Sequence, residues 1–322
     1  MSDPVINTEN INMTPEELAE QKRKKRRRVH RMKMAIIWFL VSWIIVSITM
    51  LVILTVTVIN LRRDVNDLSK SRSEAVTTAS EAPIEYALEP GEVLVNHYGE
   101  TAESNLANAN DTLKVYLTFD DGPSENTAKI LDILDDYGVK ATFFVIGHTD
   151  EESQALYKRI VDEGHTIGMH SYSHNYSTLY SSLDSFSGDL DKIQNLIYDV
   201  TGVDSMYYRF PGGSSNLVSN TNMAVFIRYL NDQGITYMDW NVSSGDATSQ
   251  AYTPDELVEN VLSDVVKYKT SVVLLHDSDT KENTVEALPA MIEALQAKGA
   301  VILPISEDTT LIQHVTLQTA ED

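Results

Sequence analysis

The sequence predicts an α/β fold: a distorted (β/α) barrel of about seven strands that follows a single transmembrane helix and a stalk. Short β-rich apolar runs alternate with helical patterns about seven times over about 190 residues, which is typical of parallel strands with helical crossovers. Polar side chains also follow the ends of five of these runs, at Asp120, His170, Arg209, Asp246 and His276. Several strands contribute to one mouth in a barrel, whereas an open sheet concentrates its site at one switch point. The barrel is therefore favoured.

The predicted strands are short apolar runs bounded by turn residues. They lie at 115–119, 141–146, 166–169, 206–210, 236–242, 271–275 and 301–305. The first ends at an Asp-Asp-Gly-Pro turn and the second at Gly147. The third leads directly into His170, so a polar side chain stands where a buried strand stops.

The predicted helices lie between these strands, and most end at a glycine. In the first, Ile130, Leu131, Leu134 and Tyr137 share one face before Gly138. The later helices are predicted at 155–163, 184–200, 222–233, 254–268 and 285–298. The start of helix 254–268 is marked by a capping Thr253, by a proline at the first turn and by a glutamate three residues after the cap.

Composition restricts the class of protein. The 322 residues include 25 Lys and Arg against 47 Asp and Glu, for a formal net charge of −22, and 43% are hydrophobic. The apolar content suffices for a sizeable core, and the acidic balance does not fit a dedicated nucleic-acid binder. The absence of cysteine excludes disulfide scaffolds, thiolate zinc sites and cysteine nucleophiles.

Residues 1–33 are predicted to be a basic cytoplasmic tail, because nine Lys and Arg residues and no acid lie between Lys22 and Lys33. Residues 34–59 are 26 uncharged residues, more than the roughly 20 that a helix needs to cross the hydrocarbon of a bilayer. The Lys and Arg bias places the N-terminus in the cytoplasm and the acidic remainder outside. No short apolar region with a cleavage site is present, so an uncleaved single-pass anchor in the cell membrane is expected.

The basic run has two interpretations. It is a topology signal attracted to anionic lipid, or it binds nucleic acid through residues 22–33. The first is favoured because the run adjoins the membrane span, and no nucleic-acid partner is expected. Residues 60–111 are predicted to be an extracytoplasmic stalk with a short strand at 92–98, and residues 112–322 the catalytic domain.

Two short motifs carry the chemistry. His170 and His174 are four residues apart at a strand end, a spacing that suits a borderline metal such as zinc, although two polar loop histidines are the alternative. Asp120 and Asp121 adjoin a Gly-Pro turn, where one carboxylate can bind metal while the other faces substrate; good turn chemistry alone would also explain them. Together they offer three ligands with open positions, as in a hydrolytic metal site.

With these motifs the chain resembles the polysaccharide deacetylases, carbohydrate esterase family 4. The five matching motifs occur in the family's order: TFDDGP at 118–123, HSYSH at 170–174, YRFPG at 208–212, WNVSSGD at 240–246 and LLHD at 274–277. The similarity covers roughly residues 112–307. It implies a distorted α/β barrel that removes acetyl groups from N-acetylated, or sometimes O-acetylated, glycans.

The resemblance also implies roles for individual residues. Asp121, His170 and His174 would hold a divalent metal, commonly zinc. Asp120 matches the base, Arg209 its partner, His276 the acid and Asp246 the carboxylate that orients the acid. The backbone N–H of Gly212 matches the donor to the oxyanion, and Leu274 matches a residue of the acetyl pocket.

Two departures from the family pattern are visible. The aromatic residue that usually follows the proline of the third motif is replaced by Gly212, so the groove loses a wall. The tryptophan that often follows the aspartate of the fourth motif is replaced by Ala247, and Trp240 is the candidate to compensate in binding substrate. Asp239 is the alternative to Asp246. Histidines outside the motifs, at positions 97, 148, 165 and 314, are expected in loops or at the surface.

The expected substrate follows from the expected location. A catalytic domain tethered outside a cytoplasmic membrane meets cell-wall glycan first, so N-acetylglucosamine of peptidoglycan is the leading hypothesis. Another acetylated polysaccharide, such as an exopolysaccharide, a chitin-like polymer or xylan, is the alternative within enzymes. A membrane-tethered wall-binding module with a dead site is the alternative outside them. The oligomeric state is not predicted.

Overall fold

A computed structural model of the chain describes residues 92–99, 103–108, 111–219 and 221–319, together with the single positions 50 and 88. Contacts divide the chain into two units, Met1–Ala82 and Pro83–Asp322, and the strands, helices and site described below belong to the second. The predicted tail 1–33 and, apart from Met50, the predicted span 34–59 lie outside the described residues. Among the residues that are described, no helix is both long and apolar enough to cross a membrane.

The described strands form a parallel, curled main sheet and a separate antiparallel pair. They are β1 (Glu92–Asn96), β2 (Lys114–Asp120), β3 (Thr142–Val145), β4 (Thr166–Met169), β5 (Tyr207–Tyr208), β6 (Thr236–Tyr237), β7 (Val242–Ser243), β8 (Thr270–His276), β9 (Val301–Ile302) and β10 (Val315–Thr319). The main sheet has the order β6-β5-β4-β3-β2-β8-β7, with β9 beside the start of β2. The predicted parallel α/β architecture of about seven strands is confirmed, but as a half-barrel whose edges are β6 and β7.

The two edges of the half-barrel belong to one segment that the sequence predicts as a single strand. Its first part, β6, pairs with β5, and its last part, β7, pairs with β8. Between them, the carbonyls of Met238 and Asp239 accept hydrogen bonds from the buried guanidinium of Arg209 at 2.9 and 3.0 Å. Because these carbonyls bond to a side chain, the ladder is interrupted and the chain passes from one edge of the sheet to the other.

Helices cover the outer face of the sheet. They are α1 (Glu125–Asp136), α2 (Glu151–Asp162), α3 (Tyr176–Leu179), α4 (Leu183–Thr201), α5 (Met223–Asp232), α6 (Pro254–Val265) and α7 (Glu282–Ala297). The predicted capping box of α6 is confirmed, since Thr253 and Glu256 exchange side-chain-to-backbone hydrogen bonds. The predicted stop of α4 is confirmed too, because Gly202 ends it with a φ of +75°.

β1 corrects the predicted extent of the stalk. Glu92 lies opposite Thr319 and Asn96 opposite Val315 in an antiparallel pair, and a bridge joins Leu106 to Tyr268. These residues therefore belong to the folded domain, although they fall within the 60–111 segment predicted as a stalk. The partner strand is more than 200 residues away along the chain, so no local pattern reveals the pairing.

The register of the main sheet brings polar side chains together. Asp120 ends β2 and lies directly beside His276, which ends β8. Since strand side chains alternate, Asp120 shares the inner face of β2 with Tyr116 and Thr118, while the residues between them pack under the helices. The carboxyl ends of the strands thus form one polar rim above an apolar interior.

Candidate active site

Three side chains converge at this rim to form a candidate metal centre. One ligand atom from each of Asp121, His170 and His174 lies within 4.8 Å of the other two. Oδ1 of Asp121 is 3.2 Å from Nε2 of His174 and 3.6 Å from Nε2 of His170. Asp121 and His174 have φ values of 74° and 47°, in the left-handed region that residues with a β-carbon rarely adopt. Such strain is typical of functional sites, where surrounding structure holds it in place.

Hydrogen bonds to residues outside the cluster fix its orientation. Nδ1 of His170 lies 2.8 Å from the carbonyl oxygen of Arg209, which directs Nε2 towards Asp121. The buried carboxylate of Asp189, in α4, accepts hydrogen bonds from the backbone N–H groups of Tyr172 and Ser173 at 2.6 and 3.0 Å. Asp189 was not singled out from the sequence, although an acid on the buried face of a helix is a visible signal.

The chemistry of the cluster suits a divalent cation. Oδ1 of Asp121 is buried and has no hydrogen-bond partner, which is costly unless a positive group binds it. Burial lowers the pKa of His170 to about 3, so its imidazole is neutral and able to donate a lone pair. One carboxylate and two imidazoles are a ligand set found in hydrolytic metal sites.

Asp120 and Arg209 form a buried ion pair next to the cluster. Nη1 of Arg209 lies 2.9 Å from Oδ1 of Asp120 and 2.6 Å from the hydroxyl of Thr118, and the guanidinium carbon is 4.2 Å from the ring centre of Phe144. Arg209 is fully buried. Burial raises the pKa of Asp120 although the charge of Arg209 opposes the rise, so the carboxylate is a stronger base than in water.

His276 and Asp246 form a second pair on the other side of Asp120. Nδ1 of the imidazole lies 2.8 Å from Oδ1 of Asp246. Burial alone would lower the pKa of His276, but the hydrogen bond and charge of Asp246, with Asp120 and Asp121 beyond, outweigh it and the pKa is raised. The alternative carboxylate, Asp239, lies elsewhere.

The contacts of Asp239 are structural. It accepts hydrogen bonds from the N–H and hydroxyl of Ser214 at 2.8 and 2.5 Å and from the backbone N–H of His314 at 2.7 Å. Asp246 is thus the one of the two candidate carboxylates that contacts His276.

Two further candidate residues, Leu274 and Gly212, lie close to the residues described above. Leu274 is half-buried on β8, two residues before His276 and therefore on the same face of the strand. Gly212 lies beside Tyr176, whose pKa is raised by burial and by the charges of Asp121 and Asp120.

Trp240, the candidate to compensate in binding substrate, lies apart from the metal cluster. Its ring meets His314 edge-on at 4.8 Å and lies 5.8 Å from the guanidinium carbon of Arg209. It lines a cavity of about 550 Å³ with Tyr98 and Tyr268, to which none of the metal-cluster or ion-pair residues contributes. Its indole packs there against the C-terminal segment that contains His314.

Asp277 is a further buried acid that the sequence left without a role. Its Oδ2 accepts a hydrogen bond from Thr127 at 2.5 Å, and a β-carbon on Gly122 would lie 2.2 Å from the same oxygen. Burial and the nearby carboxylates raise its pKa to about 7. The glycine in the Asp-Asp-Gly-Pro turn is therefore required by close packing on Asp277.

Comparison with known proteins places this geometry in a family. Residues 107–237 match the family model "Polysaccharide deacetylase". A putative polysaccharide deacetylase, YheN, of Bacillus subtilis is 34% identical over 206 residues, which cover 62% of this chain and 69% of that protein. The chain belongs to the polysaccharide deacetylase family. Members of this family are hydrolases that act on the amide bonds of acetylated glycans.

Two further relatives of this deacetylase carry a more specific name. A peptidoglycan-N-acetylglucosamine deacetylase of Bacillus cereus is 33% identical over 204 residues, or 62% of this chain and 71% of that protein. The crystal structure of the catalytic domain of a peptidoglycan N-acetylglucosamine deacetylase from Eubacterium rectale has a TM-score of 0.60 and 39% identity. That comparison covers 67% of this chain and 98% of the other.

Proposed function

We propose that this deacetylase hydrolyses the acetyl amide of N-acetylglucosamine in peptidoglycan, using one zinc ion held by Asp121, His170 and His174. The observation that carries the proposal is the convergence of three ligand atoms within 4.8 Å, flanked by a buried acid–arginine pair and a buried acid–histidine pair. A bound divalent ion supplies a water of lowered pKa and polarises the acetyl carbonyl.

The two flanking pairs supply proton transfer. Asp120 takes the proton of the attacking water, and Arg209 fixes its carboxylate in the position where it does so. His276 gives a proton to the departing sugar nitrogen, which is a poor leaving group without it. Asp246 orients the imidazole so that Nε2 faces the substrate, and its charge keeps the imidazole protonated.

The acetyl group is bound between the rim and the third motif. The backbone N–H of Gly212 donates to the oxygen on which negative charge develops, and Leu274 packs against the methyl group. Two named relatives that act on peptidoglycan N-acetylglucosamine support this choice of glycan.

Residues 34–59 anchor the protein in the cytoplasmic membrane with residues 1–33 inside, and this location brings the domain to the cell wall. The support is the charge distribution of the sequence. Protease treatment of intact spheroplasts should remove the catalytic domain and leave the tail protected. Release of the whole protein into the soluble fraction would overturn the anchor.

Acetate release by the purified full chain tests the activity. The zinc-loaded protein should release acetate from N-acetylglucosamine oligomers and from peptidoglycan fragments. In the mass spectrum the glycan should lose about 42 Da for each acetyl group that hydrolysis replaces with hydrogen. Faster release from acetylated xylan or another polymer would replace the glycan in the proposal. Zinc binding without acetate release from any of these polymers would favour the wall-binding module.

A further inference from the structure

The space left by the missing aromatic residue of the third motif is filled by another part of the chain. Gly212 has a φ of +79°, and a β-carbon placed on it would lie 3.2 Å from Cε1 of Tyr176 and 3.4 Å from the Tyr176 hydroxyl. Cβ of Asn216 would be 3.3 Å from the same β-carbon. A side chain at position 212 would be both strained and crowded, so the ring of Tyr176 covers this glycine.

Tyr176 is held firmly in that place. It is the first residue of α3, whose capping Asn175 accepts a hydrogen bond from the third helical N–H. The phenol ring meets the His174 imidazole edge-on, with ring centres 5.4 Å apart, and it contacts Tyr180 at 6.1 Å. Tyr180 is itself buried and donates its hydroxyl to the carbonyl of Pro211 at 2.9 Å. The ring is thus fixed between a metal-cluster histidine and the third motif.

The hydroxyl of Tyr176 is available to a ligand. Within the part of the chain that the structure describes, no hydrogen bond uses it, and it is not among the sealed polar atoms. The side chain is half-buried, so part of it is open to solvent. A phenol donor therefore stands directly over Gly212, the residue whose N–H is assigned to the substrate oxygen.

We propose that Tyr176 contacts the substrate: its ring forms the groove wall that Gly212 does not supply, next to the acetyl group, and its hydroxyl donates a hydrogen bond to the acetyl carbonyl oxygen beside the N–H of Gly212. The inference rests on the proposed function for the identity of the acetyl group. Because negative charge grows on that oxygen during attack, the donor stabilises the transition state more than bound substrate. The ring also limits the length of the acyl chain that fits.

The test compares variants of the zinc-loaded full chain. Tyr176→Phe should lower kcat for acetate release from N-acetylglucosamine oligomers about tenfold with little change in KM, as expected for one hydrogen bond made mainly in the transition state. Tyr176→Ala should raise the rate on N-propionyl oligomers relative to N-acetyl oligomers, because the wall is gone. Tyr198→Phe, on the exposed face of α4, is the matched control and should behave as wild type.

Binding of acetohydroxamate, a small carbonyl compound, gives a measurement independent of the glycan. Calorimetry should show binding about fivefold weaker in Tyr176→Phe and unchanged in Tyr198→Phe. If Tyr176→Phe binds acetohydroxamate more weakly but wild type releases no acetate, the proposed function is overturned and the Tyr176 contact stands. Equal binding and equal kcat in the phenylalanine variant would overturn the contact. If that variant melts early, Tyr176→Leu, which also lacks the hydroxyl, should show the same fivefold loss.

Discussion

Asp246 binds both the side chain and the backbone of His276: the imidazole Nδ1 lies 2.8 Å from one carboxylate oxygen, and the backbone N–H donates to the other at 2.7 Å. The hydroxyl of Thr284 donates to the second oxygen at 2.9 Å. Burial of Asp246 would raise its pKa, but the hydrogen bonds from His276 outweigh this effect and lower it. The imidazole is therefore held in one orientation beside a permanent negative charge.

Asp246→Asn should move the alkaline limb of the kcat/KM profile to lower pH. The pKa of His276 is raised by this carboxylate, and the acid must be protonated to act, so removal of the charge means that the active form is lost earlier as pH rises. The measurement is acetate release across pH at fixed zinc. Asp239→Asn is the control and should leave the limb in place; equal shifts in both variants would contradict the assignment.

Asp120→Asn should reduce kcat by about 10²–10⁴, the usual contribution of a general base, while zinc content stays that of wild type. The amide keeps an acceptor for Arg209 but cannot take a proton from water. Zinc is measured by atomic absorption alongside the rate. A variant with more than a tenth of wild-type activity would show that the base lies elsewhere.

Arg209→Met should lower the free energy of unfolding by about 3–5 kcal/mol, because it leaves Asp120 charged and unpaired in a buried site. It also frees the carbonyls of Met238 and Asp239 from their donors. Urea unfolding of the metal-free protein measures the effect. Restored stability in the double variant with Asp120→Asn would show that the unpaired carboxylate is the cause.

Asp189→Ala should weaken zinc binding about 10–100-fold without touching a ligand, since its carboxylate holds the loop between the two histidines. Competition with a chromophoric chelator reads the affinity directly. Asp191→Ala, an exposed acid on the same helix, is the control. Unchanged affinity in the Asp189 variant would show that the loop keeps its shape unaided.

His165 should make the domain sensitive to mild acid. It is buried, its Nδ1 accepts the N–H of Ala141 at 3.1 Å, and burial, with Lys140 and Arg159 nearby, lowers its pKa to about 4. Between pH 6.5 and 4 the unfolded chain binds a proton that folded His165 does not. The free energy of unfolding therefore decreases as the pH is lowered through this window, by up to about 3 kcal/mol.

Unfolding in chelator, with His165→Asn beside wild type, checks this window. Asparagine keeps an acceptor for the Ala141 N–H but does not titrate, so the variant should lose less stability than wild type between pH 6.5 and 4. Parallel curves for the two proteins would assign the acid sensitivity to other groups.

Local sequence signals predicted the frame of this fold and most of the candidate site. Apolar runs, glycine stops and the Thr253 cap mark elements that the structure contains, because burial and capping act over a few residues. Asp120 and His276 were expected at strand ends, and the parallel register sets them side by side. These features depend on neighbours along the chain or along one strand.

Features that depend on distant partners escaped prediction. The segment 236–242, predicted as one strand, is split where the guanidinium of Arg209 binds carbonyls that a strand would pair. His165 and His314 were expected in loops or at the surface. Both lie outside the helices and strands, but they are buried because other segments pack over them. Trp240 packs on His314 of the C-terminal segment, a neighbour that its own motif does not reveal.

The pairing of β1 with β10 bears on how the catalytic domain is produced as a recombinant fragment. Truncation at residue 112, where the motif-bearing region begins, would remove the partner strand of β10. The edge of β10 would then be open, and Leu317, which packs on the core, would be exposed. Unpaired strand edges recruit other chains and cause aggregation. The same strand also holds the residues just after the third motif, since the N–H of Val315 donates to the hydroxyl of Ser214 at 3.0 Å. A fragment that starts upstream of Glu92 keeps both the solubility and the shape of the rim.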